Sequence, residues 1–354
     1  MLAKKSKLLS ANFFLLWAVG SVFGQLTTNY AEEEAYFLHD RDTIFGKLIL
    51  PKKKVKNGYP VILFVHGSGP EDYSSSNLYR PLWERFTEAG FACFSWDKPG
   101  VGSSQGNWFQ QSIEDRAEIV LEAYHFLEQH EKIDRNKIGL WGISQAGWVI
   151  PKVTETRIPA FAIVVSGPVT TAMDQEIYRL RSNLQANGFK PAAVDSAVTY
   201  TNQVKELVGG QRPFVDFDAL QKEARKHGWS SFVITGDEGI YQYLKVILKG
   251  DQAPNIENLT CPVLAIWGEN DLLVPSVASS EHYRNTMKKI GNKKATVVIV
   301  PQADHTLTFN ISGKSEETIE RRKTFEKEPE KIFAPGYLDL MTEWLKKLKW
   351  SLKP

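Results

Sequence analysis

Ser144 lies in the stretch I-G-L-W-G-I-S-Q-A-G-W-V, residues 138–149. Apolar residues lead into it, small residues surround the serine, and apolar residues at helical spacing lead away. The pattern predicts a buried strand, a sharp turn with Ser144 at its tip, and a helix. Only small side chains fit two residues before and after such a turn, and Gly142 and Ala146 occupy those places. Gly147 relieves crowding where the helix meets the strand. The turn pushes the hydroxyl out above the sheet. It also aims the Gln145 N–H and the helix N-terminus at the space where negative charge would develop.

A serine hydroxyl is a weak nucleophile near neutral pH. It needs a base within hydrogen-bond reach and a third group that orients the base. In an α/β sheet those partners belong at the carboxyl ends of later strands. Asp271 follows the apolar run 262–267 in G-E-N-D-L-L-V-P, and His305 follows the run 295–300 in P-Q-A-D-H-T-L. Glu269 and Asp304 compete as the acid, one nearer the strand end and the other beside the histidine. Ser68, Ser103 and Ser166 also follow strands but lack the small-residue turn.

The elements that must position these groups are legible from periodicity. Residues 31–50 predict two strands joined at an H-D-R-D turn, followed by a solvated lysine-rich loop at 52–56. The continuous apolar run 61–65 predicts a strand buried on both faces, and 91–96, 161–165, 262–267 and 295–300 predict further strands. Helices are expected at 77–90, 112–130, 277–290 and 335–349, with Ser112 and Asp115 opening the second. Strands alternating with helices imply βαβ units and a mostly parallel sheet. The alternation stops from 169 to 259, which is more polar and helix-like. The charged segment 311–331 is expected to be an exposed insertion, and its position after His305 suggests a pocket wall.

The 354 residues, 42% hydrophobic and 24% charged, suffice for a large core. Residues 1–24 read as a signal peptide: Lys4, Lys5 and Lys7, then an apolar run of about eleven residues, too short to span a bilayer. Its removal takes the three lysines with it and changes the formal charge from +2 to about −1. That balance does not favour nucleic acid or an anionic membrane surface. The expectation is a secreted or periplasmic protein without a stable membrane anchor. Cys93 and Cys261 sit in apolar runs whose strands would lie roughly 19 Å apart, too far for a disulfide. No H-E-x-x-H motif or Cys/His cluster calls for a metal, and no strand–G-x-G-x-x-G–helix calls for a dinucleotide. No cofactor is expected.

Taken together, H-G-S-G, D-K-P-G-V-G-S, G-I-S-Q-A-G-W, G-E-N-D-L-L-V-P and A-D-H-T-L, in that order, resemble the α/β-hydrolase superfamily over residues 31–349. Within it, G-I-S-Q-A-G-W-V-I-P is similar to secreted serine esterases and to S9/S33-peptidase-like hydrolases. The resemblance implies an α/β-hydrolase fold: a mostly parallel eight-stranded sheet flanked by helices. The core would comprise 25–168 and 260–354, and 169–259 would form a helical cap. The family pattern G-x-x-D-x-x-V-P puts the acid at Asp271, giving a Ser144, Asp271, His305 triad. The H-G-S-G loop resembles the one that supplies a second oxyanion donor, the Ser68 N–H beside that of Gln145. His66 and the D-K-P-G-V-G-S turn are expected to be structural. Cap aromatics Tyr178, Phe189, Trp229, Phe232, Tyr241 and Tyr243, with Trp108 and Trp148, are divided between pocket lining and core.

The resulting expectation is a serine hydrolase of small acyl or aryl carboxylic esters, acting on a small ester or short peptide. A serine peptidase or aminopeptidase of the same fold is the alternative, and a non-catalytic binding protein on this scaffold is a third reading. Serine at the elbow disfavours the superfamily's Asp-nucleophile branch. Oligomeric state stays open.

Overall fold

The computed structural model describes residues 29–348; the leader expected at 1–24 lies outside the described residues. Eight strands form one sheet: β1 (Tyr30–His39), β2 (Asp42–Pro51), β3 (Tyr59–Val65), β4 (Ala92–Trp96), β5 (Ile133–Ile143), β6 (Ala162–Val165), β7 (Val263–Gly268) and β8 (Ala295–Val300). Their order is β1-β2-β4-β3-β5-β6-β7-β8. The β1–β2 and β2–β4 pairs are antiparallel and all others parallel. This is the mostly parallel α/β-hydrolase sheet expected from the apolar runs.

The period-2 alternation of each central strand feeds two cores. Val61, Leu63 and Val65 of β3 face one side, with Leu140, Val164 and Ala265. Helices α2 (Ile113–Gln129), α3 (Ala146–Thr154) and α8 (Ser276–Lys289) supply the rest of that layer. Ile62 and Phe64 face the opposite layer with Trp141, Ile163 and Ile266, covered by α1 (Arg80–Glu88) and α10 (Tyr337–Lys346). Phe64 is fully buried, and truncating such a ring costs about 3–5 kcal/mol. Helix α2 begins with a full capping box, Ser112 with Asp115, as its sequence implies. Cys93 and Cys261 are buried and free.

Two elements differ from expectation. The helix expected from 77 starts at Arg80, because Ser75, Ser76 and Asn77 all take positive φ in a turn organised by the Asp72 carboxylate. The charged 311–331 segment is no loose insertion. It contains helix α9 (Ser315–Thr324), whose Thr318 is buried.

Between β6 and β7 the chain forms four helices: α4 (Ala172–Ala186), α5 (Pro191–Gly209), α6 (Phe214–Ala224) and α7 (Glu238–Ile247). They build a core of their own around Leu180, Leu184, Val204, Phe217 and Tyr241. The two ends of this insertion are tied together. The Asp251 carboxylate accepts the N–H groups of Ala172 (2.6 Å) and Met173 (3.1 Å) at the start of α4.

Candidate active site

Ser144 follows the last residue of β5 and has φ of 58°. A non-glycine residue in the left-handed region costs about 1–3 kcal/mol unless its surroundings impose it. Here they do. The Ser144 N–H donates to Val165 O on β6, and the Ser144 carbonyl accepts from Gly147 at 2.8 Å, starting α3. A methyl group placed on Gly142 would sit 2.6 Å from the Ala146 Cβ. One placed on Gly147 would sit 2.6 Å from Gly167 Cα. The elbow therefore accommodates Ala146 because Gly142 leaves it room, and the second obligatory glycine is Gly147.

His305 Nδ1 lies 2.8 Å from Asp271 Oδ2. A carboxylate only accepts, so the proton is on Nδ1 and the lone pair on Nε2. The other Asp271 oxygen accepts the N–H groups of Leu273 (2.7 Å) and Val274 (2.9 Å). Helix α4 braces this loop from above. Tyr178 donates to Asp271 O, Gln175 to Leu273 O and Asn183 to Leu272 O. Burial pushes the His305 pKa down, but the charge and hydrogen bond of Asp271, with the charge of Asp304, outweigh it and leave it raised. Its Nε2 is buried and bonded to nothing among the described residues, so Ser144 and His305 are not hydrogen-bonded in this structure.

The competing carboxylates are otherwise occupied. Asp304 Oδ1 accepts from Thr306 N, Thr306 Oγ1 and Thr308 N, and its Oδ2 accepts from Thr318 Oγ1 of α9. Arg322 of α9 donates to Thr306 Oγ1. Helix α9 thus braces the loop carrying His305 and lines no part of the cavity described below, contrary to the expected pocket wall. Glu269 accepts from Gln302 N at the sheet edge.

The H-G-S-G loop lies against the elbow, with the position of a Gly67 Cβ only 3.5 Å from Ser144 Cβ. Two buried cations hold its carbonyls. Lys98 Nζ donates to Gly67 O (2.5 Å) and Gly69 O (2.7 Å), and Arg116 Nη2 donates to His66 O (2.8 Å) and Gly67 O (2.9 Å). Gly67 C=O and Ser68 N–H belong to one trans peptide unit and point in opposite directions. With the carbonyl turned toward the cations, the Ser68 N–H is turned away from them. Neither the Ser68 N–H nor the Gln145 N–H finds an acceptor among the described residues. Burial, then the Arg116 charge, pushes the Lys98 ammonium well down, opposed by Glu71. Burial raises the Glu71 carboxyl, but hydrogen bonding to His66 and the Lys98 charge hold it below the usual range.

Ser68, Ser144 and Gln145 form one end of a cavity of about 110 Å³. Its walls come from Trp148 and from the insertion: Met173, Ile234, Tyr243, Leu244, Ile247 and Leu248. The family model for serine aminopeptidase, S33, matches residues 58–311, spanning β3 through the His305 loop. The chain belongs to this family. It is a hydrolase of the α/β-hydrolase fold.

Two curated Escherichia coli proteins, each named an uncharacterized 31.7 kDa protein in the traX-finO intergenic region, are 32% identical to this S33-family chain over 99 residues. That match covers 28% of this chain and 32% of the length of each relative. Among solved structures, a Pyrococcus furiosus esterase superposes with a TM-score of 0.51 at 15% identity, covering 92% of this chain and 96% of that one. DcsB, solved with a substrate analogue, gives 0.51 at 15% identity, covering 89% and 98%. At such identities these likenesses describe the fold.

The S33-family chain sorts the insertion's aromatics clearly. Tyr243 lines the cavity and packs edge-on against Trp108 and Phe109. Tyr178 serves the Asp271 loop, while Phe189, Trp229, Phe232 and Tyr241 pack within the insertion. Lys98 and Arg116 escaped the sequence reading. One sequence signal was available: Arg116 interrupts the apolar stripe between Ile113 and Val120 on α2. The D-K-P-G-V-G-S turn is a scaffold, with Asp97 accepting the N–H groups of Tyr73 (2.8 Å) and Ser103 (2.8 Å).

Proposed function

We propose that this protein is a serine esterase cleaving carboxylic esters of small acyl or aryl acids. The observation that carries the reading is the pair of free N–H groups, Ser68 and Gln145, beside a strained serine in a mostly apolar cavity. Two donors in that arrangement suit the tetrahedral oxyanion of acyl transfer.

Ser144 Oγ attacks the ester carbonyl and His305 Nε2 takes its proton. Asp271, bonded to Nδ1, fixes the tautomer and balances the imidazolium. The oxyanion is received by Ser68 N–H and Gln145 N–H. His305 returns the proton to the leaving alcohol, and the same groups then activate water to free the acyl group. The step requires Ser144 Oγ to turn toward Nε2 on substrate binding, a tightening common among such sites. The insertion acts as a cap over this chemistry, and the leader-like residues 1–24 support a secreted or periplasmic setting.

A peptidase reading draws on the family's description. An aminopeptidase needs a carboxylate to hold the substrate amine, and Glu176 lines the cavity. Both Glu176 oxygens are already engaged by Arg179, at 2.6 and 2.7 Å, which favours the ester.

A p-nitrophenyl ester series from acetate to long acyl chains tests the proposal, with Ser144→Ala alongside. The expected result is turnover at short chains that disappears in Ser144→Ala, together with fluorophosphonate labelling of Ser144. Labelling without ester turnover would favour the peptidase; the absence of both would sink the serine-nucleophile reading.

A further inference from the structure

A buried ion pair lines the cavity, and the chemistry above leaves it unused. Glu176 and Arg179 are one turn apart on α4 and are 2% and 8% exposed. Arg179 Nε and Nη2 grip the two Glu176 oxygens, and the second Nη2 hydrogen goes to Phe232 O at 2.6 Å. A guanidinium has five N–H donors in a fixed plane. Three are used. The two on Nη1 meet no acceptor among the described residues, and Nη1 is not among the buried atoms sealed off without a partner. The Nη1 edge therefore has access to open space, and the space that Arg179 lines is the cavity ending at Ser144.

Desolvating a guanidinium edge without an acceptor is costly, and a ligand oxygen removes the cost. The insertion also gives the cavity the apolar residues Ile234, Leu244 and Leu248. Glu176 fixes the guanidinium in position and offsets part of its charge, so the Nη1 edge selects by directed, charge-assisted hydrogen bonding. The acyl portion stays on the enzyme while the alcohol leaves and water enters, so it is the portion the cavity can hold throughout.

We propose that Arg179 is a specificity-determining residue, and that the preferred substrates are esters whose short acyl chain ends in an oxygen acceptor, a second carboxylate above all. This rests on the serine-esterase reading and names its substrate class.

The test compares p-nitrophenyl half-esters of dicarboxylic acids, from succinate to suberate, with methyl-terminated and amine-terminated chains of equal length. The quantity read is the kcat/KM ratio between chain ends within one protein, so a general loss of activity in a variant cancels. At its best length the native enzyme should favour the carboxylate over the methyl end by about tenfold or more, the effect of one charge-assisted hydrogen bond. Glu176→Gln leaves the Arg179 charge unbalanced and should enlarge the ratio. Arg179→Met would strand a buried carboxylate, so the removal is made as Glu176→Gln with Arg179→Met, and there the preference should vanish. Methyl-ended esters turned over as well as or better than the carboxylates at every length would overturn the assignment while leaving the esterase standing. Preference for the amine end would also overturn it, in favour of Glu176. If no ester is turned over, the esterase reading fails and calorimetry on Ser144→Ala decides the site. Tighter binding of free dicarboxylates than of monocarboxylates, lost in the double substitution, upholds it; equal binding overturns it.

Discussion

Lys98 Nζ donates to the Gly67 carbonyl at 2.5 Å, and with the Arg116 bond to the same oxygen it orients the peptide whose other end is the Ser68 N–H. The lysine thus acts on the proposed oxyanion site from behind, without touching substrate. Lys98→Met keeps the packing volume and removes the donor. Arg116 still holds Gly67 O, so the loop should loosen without collapsing. The expected effect is a fall in kcat of about 10–100-fold with little change in KM, below the loss for deleting an oxyanion donor outright. Steady-state kinetics on a short-chain ester reads it. An unchanged kcat would remove Lys98 from the positioning machinery.

The pH profile follows from His305. Its folded pKa is raised above 6.5: burial opposes the charge, but the Asp271 charge, the Asp271 hydrogen bond and the Asp304 charge prevail. Catalysis needs the neutral ring, so kcat/KM should rise with pH through a midpoint above 6.5. Stability runs the other way. The charged ring stabilises the fold fully below 6.5, and this contribution is lost as pH rises through the raised folded value. Asp271→Asn should move the activity limb to lower pH, cost about 10⁴ in kcat and flatten the dependence of Tm on pH. A limb that stays in place would exclude His305 as the titrating base.

The sheet was legible because its central strands are uninterrupted apolar runs that only a doubly covered sheet can bury. The proximity of Asp271 and His305 was legible too, since both follow strands that end on the same edge. Asp271 was separable from Asp304 only by the G-x-x-D-x-x-V-P pattern, and in the fold it is Asp271 that meets His305 Nδ1. Both are acids beside a strand end, and they differ in that every donor reaching Asp304 comes from its own loop or from α9. Lys98, Arg116 and Glu71 were hidden for another reason. They lie on three separate elements and meet only in the folded chain. The Glu176–Arg179 pair has ordinary helical spacing, and no sequence pattern distinguishes a buried pair from a surface one.

Helix α9 offers a clean separation of positioning from selectivity. Thr318 Oγ1 bonds Asp304 Oδ2, and no residue of α9 lines the cavity. Thr318→Val removes a buried donor from a carboxylate and should cost about 1–3 kcal/mol of stability. It should lower kcat for every ester by a similar factor, because the His305 loop is disturbed and the cavity is not. Denaturant melts and an ester chain-length series measure the two effects. A shifted chain-length optimum would instead make α9 part of the pocket.

The elbow itself predicts a specific coupling between Gly142 and Ala146. A Cβ on residue 142 would lie 2.6 Å from the Ala146 Cβ, 2.9 Å from Ile150 Cδ1 and 3.1 Å from Val65 Cβ. Gly142→Ala alone should therefore destabilise the fold by about 1–3 kcal/mol through overpacking and displace Ser144. Adding Ala146→Gly removes the tightest contact and leaves the other two. The double substitution should recover part of the stability and part of the activity, with a coupling energy of about 1 kcal/mol or more. A double-mutant cycle by denaturant unfolding checks this, with fluorophosphonate labelling rate as the readout for the serine. Strict additivity would mean that the backbone relaxes around residue 142, and that the fit of Ala146 against Gly142 does not shape the turn that presents Ser144.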